Sequence, residues 1–332
     1  MSLDDPAPRA VRIRSATSED RGAIVDLCRV SLGWQPEDPN EAFLAWKHDR
    51  NSFGASPTWV AVDDSGRVLG VRFFMRWRFR AADGSLFQAV RAVDTATHPD
   101  ARGQGIFSTL TLGALPDLTA MGVDFVFNTP NEKSRPGYLK MGWSLVGRVP
   151  LAVRPTGAGF FKKSDEVWSG SAKWGVESEV GWSPADAFAD TDAVARLLAS
   201  VPPSGGIETD RSADFLRWRY GFEPLNYRVF PVGESIEEGA LVFRLRRRGA
   251  RLDATICEEL LPRRRLADPI YRRLGNATGA DSLVRSQSGW IGPGPSLRVS
   301  RLGPLLTWKP LARAEVPTLD DLDLTAGDLE LF

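Results

Sequence analysis

The sequence predicts an α+β fold, a mixed central sheet flanked by helices, laid down twice along the chain. Three observations predict it. The first half reads as strand, two helices, three antiparallel strands, helix, strand, helix and strands. Its centre is a strand–loop–helix followed by the compact apolar run Val123 to Phe127, which suits a buried strand parallel to its predecessor. The second half then repeats a helix–hairpin pattern of the first: Phe43-Leu44-Ala45-Trp46-Lys47-His48 is echoed by Phe215-Leu216-Arg217-Trp218-Arg219-Tyr220, and each is followed by a strand, a Gly and a basic-apolar strand. At 332 residues the chain is long for a single core, which agrees with two units.

Taken in order, Val11 to Arg14 alternates apolar and basic residues and predicts a short strand. Thr17 with Asp20 forms a capping pair for a helix through Ile24, Val25, Leu27 and Cys28. Asn40 is placed to cap a second helix carrying Phe43, Leu44 and Trp46. Thr58 to Val62, Arg67 to Phe79 and Ser85 to Thr97 predict a three-stranded meander with turns at Asp63-Asp64-Ser65-Gly66 and Ala82-Asp83-Gly84. A helix is expected from Ile106 to Thr119, another from Ser134 to Met141, and two short strands between Ser144 and Arg154. The texture changes from Pro155 to Gly181. The expected organisation is a catalytic unit over 10–155, a linker over 156–181 and a second unit over 182–332.

Composition narrows the function classes. Lys plus Arg (42) balances Asp plus Glu (42), which argues against a dedicated nucleic-acid binder. No apolar run approaches the roughly 20 residues that span a bilayer, and the acidic start Met-Ser-Leu-Asp-Asp-Pro is no secretory signal, so a cytoplasmic protein is expected. Cys28 and Cys257 sit in apolar patterns as buried thiols, and no metal cluster can be assembled from two cysteines and two histidines so scattered. Oligomeric state is not legible.

The chemistry concentrates between Val90 and Trp143. A strand ends at Pro99, Arg102-Gly103-Gln104-Gly105 follows, and a helix opens at once with Ile106 and Phe107. Glycines let a turn point several backbone N–H groups at one spot, and the helix N-terminus adds unpaired donors and partial positive charge. Such a loop suits a pyrophosphate, with Arg102 as a charged contact. The spacing fits neither a Walker loop nor a dinucleotide fingerprint. A second element, Asn131 to Trp143, places Ser134 and Tyr138 one turn apart on a helix that Gly142 ends.

Together these resemble the GNAT superfamily of N-acetyltransferases. The first family motif is Arg/Gln-x-x-Gly-x-Gly/Ala opening a helix, met by Arg102, Gly103 and Gly105. The second is Asn-x-x-Ala-x-x-x-Tyr-x-x-x-Gly-Phe, met by Asn131, Tyr138, Gly142 and Trp143. Phe107 stands where the first motif has Gly or Ala, and Ser134 replaces the Ala of the second. The resemblance implies acetyl-CoA as co-substrate and no metal. The pyrophosphate would lie on the amides of Gly103, Gln104, Gly105, Ile106 and Phe107, with Arg102 and Asn131 beside the cofactor. The pantetheine arm would pair with Thr95, Ala96 and Thr97, and a small-molecule amine, such as an amino sugar or related metabolite, would be the acceptor. Tyr138 is then the expected acid for the departing thiolate. Asp94 is the first candidate base, a carboxylate in an apolar strand, against the alternative that it is tied to Arg91. His98 and the chain-terminal carboxylate of Phe332 are further candidates, the latter from a likeness to tandem acetyltransferases of the Eis type. The second half carries no such glycine loop: its strand Asp253 to Leu260 runs into Leu261-Pro262-Arg263. Two other readings remain open, a non-catalytic CoA-binding or scaffold module and a transferase with a different acyl donor.

Overall fold

The computed structural model describes residues 11–157, 160, 173–286, 296–299, 303–312 and 315–329. Part of the expected linker lies outside them. The chain condenses into two compact units. The first takes the chain up to Arg78, Phe87–Leu145 and Thr307–Val316; the second takes Phe79–Leu86, Val146–Leu306 and the chain from Pro317. No helix among the described residues is long and apolar enough to cross a membrane.

In the first unit, β1 (Arg12–Ser15), β2 (Thr58–Val62), β3 (Val68–Arg80) and β4 (Leu86–Thr97) lie side by side. β1 runs antiparallel to β2 with Ile13 opposite Ala61, and β2 antiparallel to β3 with Val60 opposite Val71. The Thr17–Asp20 capping box forms as expected. Arg14 grips both Asp20 oxygens at 2.7 Å and holds that carboxyl down to about 2. Helix α1 (Arg21–Leu32) follows. Asn40 does not cap the next helix. It is the first residue of α2 (Asn40–Leu44), buried, with its amide donating to the Gln35 carbonyl at 2.7 Å, while Pro39 holds the cap position. A buried side chain that has found a backbone acceptor no longer serves the helix end. Beyond α2 the chain widens into a π-turn over Ala45–Asp49, closed by Arg50 N–H to the Ala45 carbonyl at 2.9 Å.

After β4 the expected single helix is two, α3 (Ile106–Gly113) and α4 (Leu115–Ala120). Pro116 has no N–H to continue α3 and fits the first turn of α4. α3 lies hard against the sheet at Gly70, where a Cβ would stand 2.5 Å from an Ile106 methyl. Strand β5 (Phe125–Asn128) pairs parallel to β4. On its other side comes β14 (Leu305–Pro310), antiparallel, with Trp308 opposite Phe127 and its ring stacked on Phe125 at 3.8 Å. The core joins Trp59, Phe74, Ile106, Leu110, Val126 and Tyr138. Phe107 joins it too: the ring packs edge-on to Tyr138 at 5.3 Å and covers Gly137, where a Cβ would come 2.8 Å from its Cε1. The departure from the family motif at 107 is thus absorbed by the absence of a side chain at 137.

The second unit repeats this plan. β10 (Ala240–Arg248) and β11 (Arg251–Leu260) form a hairpin, a helix spans Ala267–Thr278, and β12 (Ser282–Ser286) returns parallel to β11 with Ala254 opposite Leu283. β9 (Tyr227–Pro231) flanks β10, and β7 (Leu151–Pro155) pairs antiparallel with β12. Hairpin, crossover helix and parallel strand therefore occur twice, as a duplication requires. Cys28 and Cys257 are both buried.

A buried polar network ties this second unit together. Tyr220 Oη donates to Glu258 at 2.6 Å and Arg211 Nε donates to Glu258 at 2.8 Å. Arg211 Nη2 also bonds Asp328 at 3.2 Å, and Thr209 Oγ1 donates to Asp328 at 2.7 Å. Burial outweighs Arg211 and pushes Glu258 up to about 7. The folded form therefore holds a proton that the unfolded chain releases nearer the ordinary carboxylate value. That contribution to stability is complete at low pH and is lost as pH rises toward 7.

Two outcomes are expected. Relative to Glu258→Gln, the wild type loses on the order of 2–3 kcal/mol of unfolding free energy between pH 4.5 and 8; parallel stability curves for the two proteins would contradict this. Gly137→Ala alone costs about 1–3 kcal/mol in denaturant unfolding. Combining it with Phe107→Leu recovers most of that loss, whereas strictly additive costs would show that the two positions do not share space.

Candidate active site

The site begins where two strands part. The parallel ladder of β4 with β5 runs through Ala89–Phe125, Val90–Val126 and Arg91–Phe127 and ends there, while β4 itself continues to Thr97. Its residues Ala92–Thr97 thus border a cleft on the β5 side. At the top of the cleft the chain makes a short turn over Pro99–Ala101, extends at Arg102 and enters α3 through two left-handed glycines, Gly103 (φ +80°) and Gly105 (φ +75°), the latter the N-cap. Nothing lies within 4 Å of where a Cβ would stand on either glycine. The opening amides of α3 have no partner within the helix. Arg102 is exposed, and among the described residues it makes no ion pair.

The remaining predicted positions distribute as follows. Thr95 Oγ1 accepts from Arg72 Nη1; Ala96 is buried; the Thr97 carbonyl accepts from Ser31 Oγ at 3.0 Å. Gln104 is exposed, its carboxamide 3.5 Å from the Asp100 carbonyl. Ile106 is buried in the core, leaving its backbone on the loop side. Asn131 accepts from the amides of Lys133 and Ser134 at 3.1 and 2.9 Å, so it shapes the turn into α5 (Arg135–Lys140).

Tyr138 sits on α5 between the rings of Phe107 and Trp143. Its hydroxyl accepts a 2.6 Å hydrogen bond from Arg72 Nη2. Arg72 is fully buried in the middle of β3 and joins Thr95 to Tyr138. Sequence reasoning missed it. The only available signal was an arginine inside the apolar run Val68 to Phe74.

Asp94 adopts φ +46°, a left-handed backbone rare for a residue with a side chain. Its carboxylate does not meet Arg91, which bonds Thr129 Oγ1 at 3.0 Å instead. Asp94 Oδ2 lies 2.7 Å from Lys47 Nζ and 2.8 Å from His48 Nε2, all three side chains buried. Burial works against its charge, yet the Lys47 ammonium and the His48 hydrogen bond hold the carboxyl well below the ordinary range. Burial likewise depresses the imidazole of His48 and keeps it neutral, against the pull of Asp94. The ring stacks on Phe73 with centroids 4.0 Å apart, and its Nδ1 is 2.9 Å from Ser56 Oγ. Neither Lys47, His48 nor Ser56 was singled out from sequence. His98, the second candidate base, accepts from the Asp100 amide at 3.2 Å within the loop. Phe332 lies outside the described residues. Ser56 and Phe73 line a cavity of about 520 Å³ together with Arg21, Asp49, Trp59 and Arg76.

Comparison with known proteins follows the same lines. An acetyltransferase (GNAT) domain model matches residues 12–146. No curated protein matches the sequence. Among solved structures, the chain resembles a probable N-acyltransferase from Enterococcus faecalis V583 at 14% identity and TM-score 0.62, covering 91% of this chain and 73% of that one. A GCN5-related N-acetyltransferase from Anabaena variabilis ATCC 29413 gives 13% identity and TM-score 0.62 with the same coverage. Eis1 from Mycobacterium abscessus gives 12% and 0.54, covering 91% of this chain and 74% of that one. At these identities the likeness is one of fold. The domain match runs from β1 to the start of β6 (Ser144–Arg148), so this first part of the chain is similar to GNAT acetyltransferase domains.

Proposed function

We propose that the first unit transfers an acetyl group from acetyl-CoA to the amine of a small molecule. One observation carries the reading: the β4 edge, freed from β5 beyond Arg91, leads directly into the open Gly103–Gly105 loop and the amides of α3. An extended arm pairs with such an edge as an added strand. The loop and helix amides, with Arg102, suit the pyrophosphate. The bound donor supplies the acetyl group as a thioester.

The chain's own residues then handle protons. The amine attacks the thioester carbon directly, and the sulfur leaves with the electron pair. Tyr138 gives its hydroxyl proton to that sulfur. Arg72, donating to the same oxygen, offsets the negative charge left there and fixes the phenol's direction. Tyr138 is buried, its ring packed against those of Phe107 and Trp143. A proton also has to leave the attacking nitrogen, and the Asp94 carboxylate, ionised beside Lys47, is the acceptor proposed for it.

Calorimetry tests the donor site. Micromolar acetyl-CoA binding is expected, and loss of it in Gly105→Asp, where Asp tolerates the left-handed backbone but opposes the pyrophosphate. No binding by folded wild-type protein would defeat the reading. Tyr138→Phe is expected to lower kcat for thiol release by about 10²–10⁴-fold with acetyl-CoA affinity kept. Intact binding with no turnover even in the wild type would instead favour a non-catalytic CoA-binding module.

A further inference from the structure

The duplication gives the second unit a cleft of its own. β11 and β12 pair from Asp253–Ser282 to Ile256–Arg285, and β11 then runs on to Leu260 beyond that ladder, as β4 runs on beyond β5. Beside this parting lies a cavity of about 970 Å³, walled entirely by residues of the second unit, Ile256, Glu258 and Arg285 among them. Parallel strands commonly bind ligands past their carboxyl ends, in cavities of this size. The helix entry here has no left-handed glycine to seat a phosphate, so the fitting occupant is not a nucleotide. We infer that the cavity is a second ligand site, which takes a small organic amine in its ammonium form, the charge held by Glu208 and Asp323 and the carbon body by Leu198, Val201, Leu261 and Leu324. The site is independent of the acyl transfer proposed for the first unit.

Charge on the wall selects the class of ligand. The arginines there already serve carboxylates: Arg80 Nε donates to Asp210 at 3.0 Å, Arg211 Nε donates to Glu258 at 2.8 Å, and Arg285 Nε lies 3.7 Å from Glu259. Arg264 is exposed at the helix entry. Glu208 and Asp323 stand directly opposite one another, where β15 (Leu322–Asp323) pairs parallel with β8 (Ile207–Thr209). Among the described residues neither makes an ion pair, and the polar contact of Asp323 is a hydrogen bond with Ser204. Like charges facing across a ladder repel. Burial, with Glu208 and Asp328 adding to it against the pull of Arg211, pushes Asp323 up to about 6. An ammonium between the two carboxylates removes their repulsion and supplies the counter-charge, while the leucines cover the carbon body.

The duplication also accounts for Glu258 on this wall. The repeat matches His48 with Tyr220, and Tyr220 donates to Glu258 as His48 bonds Asp94. Each carboxylate marks an irregularity in its strand: Asp94 has φ +46°, and Glu258 follows the register break that leaves Cys257 unopposed. Their states differ. Lys47 keeps Asp94 ionised, whereas burial lifts Glu258 to about 7 against Arg211. The groups facing Glu258 are Arg211, Asp328 and Tyr220, and those facing Asp323 are Arg211, Glu208, Asp328 and Ser204. A cation is held by the ionised carboxylates and not by the protonated ones. Its affinity therefore rises with pH through 6 and 7 and levels off above about 8, and binding below that range releases protons.

Calorimetric titration of the full chain tests this with 4-phenylbutylamine, 4-phenylbutanol and 4-phenylbutyrate, one carbon body carrying a cationic, a neutral or an anionic head. The amine is expected to bind about tenfold or more tighter than either of the others. Asp323→Asn and Glu208→Gln keep the side-chain size, relieve the repulsion and should each weaken the amine by about tenfold, with unfolding curves showing that both variants fold. Amine affinity should rise roughly fivefold or more between pH 5.5 and 8. Equal or tighter binding of the acid, an amine affinity unchanged in both folded variants or independent of pH, or no amine binding by folded wild type overturns the inference. A wild type that binds the amine at this site and not acetyl-CoA would uphold it and defeat the acyltransferase reading, and the reverse result would do the opposite.

Discussion

The ammonium of Lys47 and the carboxylate of Asp94, both buried, meet between the π-turn Ala45–Asp49 and strand β4, and the geometry of the candidate site follows from that pair. Either charge alone in this position would carry a desolvation penalty of several kcal/mol, on the order of what removing one partner of a buried pair costs. Paired, and with His48 donating to the same oxygen, the carboxylate stays ionised. The pair also accounts for the backbone on both sides. Consecutive residues of an α-helix point about 100° apart, and Lys47 and His48 nevertheless converge on one oxygen. The wider turn brings them together. On the strand side Asp94 leaves the extended conformation for φ +46°, which turns its side chain toward the pair.

Tyr138 with Arg72, and Asp94 with His48, lie on opposite faces of the same strands. Arg72 and Phe74 turn toward Tyr138 and the α3 core, while Phe73 between them turns toward His48. Arg72 accordingly donates to Tyr138 and Thr95, while Lys47 pairs with Asp94. The separation also makes the site sensitive to register. A slip of one residue in β3 would exchange Arg72 and Phe73 between the faces and empty both arrangements at once. The residues that pin the register lie away from the chemistry, at the tight approach of Gly70 to α3 and in the pairing with β2.

The order of elements and the position of the glycine loop were legible because they depend on local patterns. Alternation marks the strands, glycine marks the left-handed positions, and proline marks the break at Pro116. Tyr138 and Asp94 stood out for the same reason, as polar groups in a motif or an apolar strand. Their partners did not, because each comes from far along the chain: Arg72 from β3, and Lys47, His48 and Ser56 from before it. Arg91 was the nearby arginine and the wrong one. Residues three apart on a strand face opposite sides, and Arg91 turns to Phe127 and Thr129. The pairing of β14 with β5 and of β7 with β12 carries no local signature either, since neither strand's own sequence says which neighbour it joins.

The second unit shows which part of this design belongs to the fold and which to the loop. It has the hairpin, the crossover helix and the parallel strand of the first, with β11 and β12 paired as β4 and β5 are. Between β11 and its helix, however, stand Leu261, Pro262 and the turn Arg264–Leu266, with Leu266 right-handed at the helix entry. Where the first unit has two left-handed glycines, this connection has none, and proline has no amide to contribute. The paired left-handed residues of Gly103 and Gly105 have no counterpart there. A basic run is no substitute, because side-chain charge without fixed donors attracts an anion without orienting it. The same sheet with a different turn therefore lacks the means to hold a pyrophosphate. What separates the two units is the few residues between His98 and Phe107, and the shared strand topology does not supply that turn.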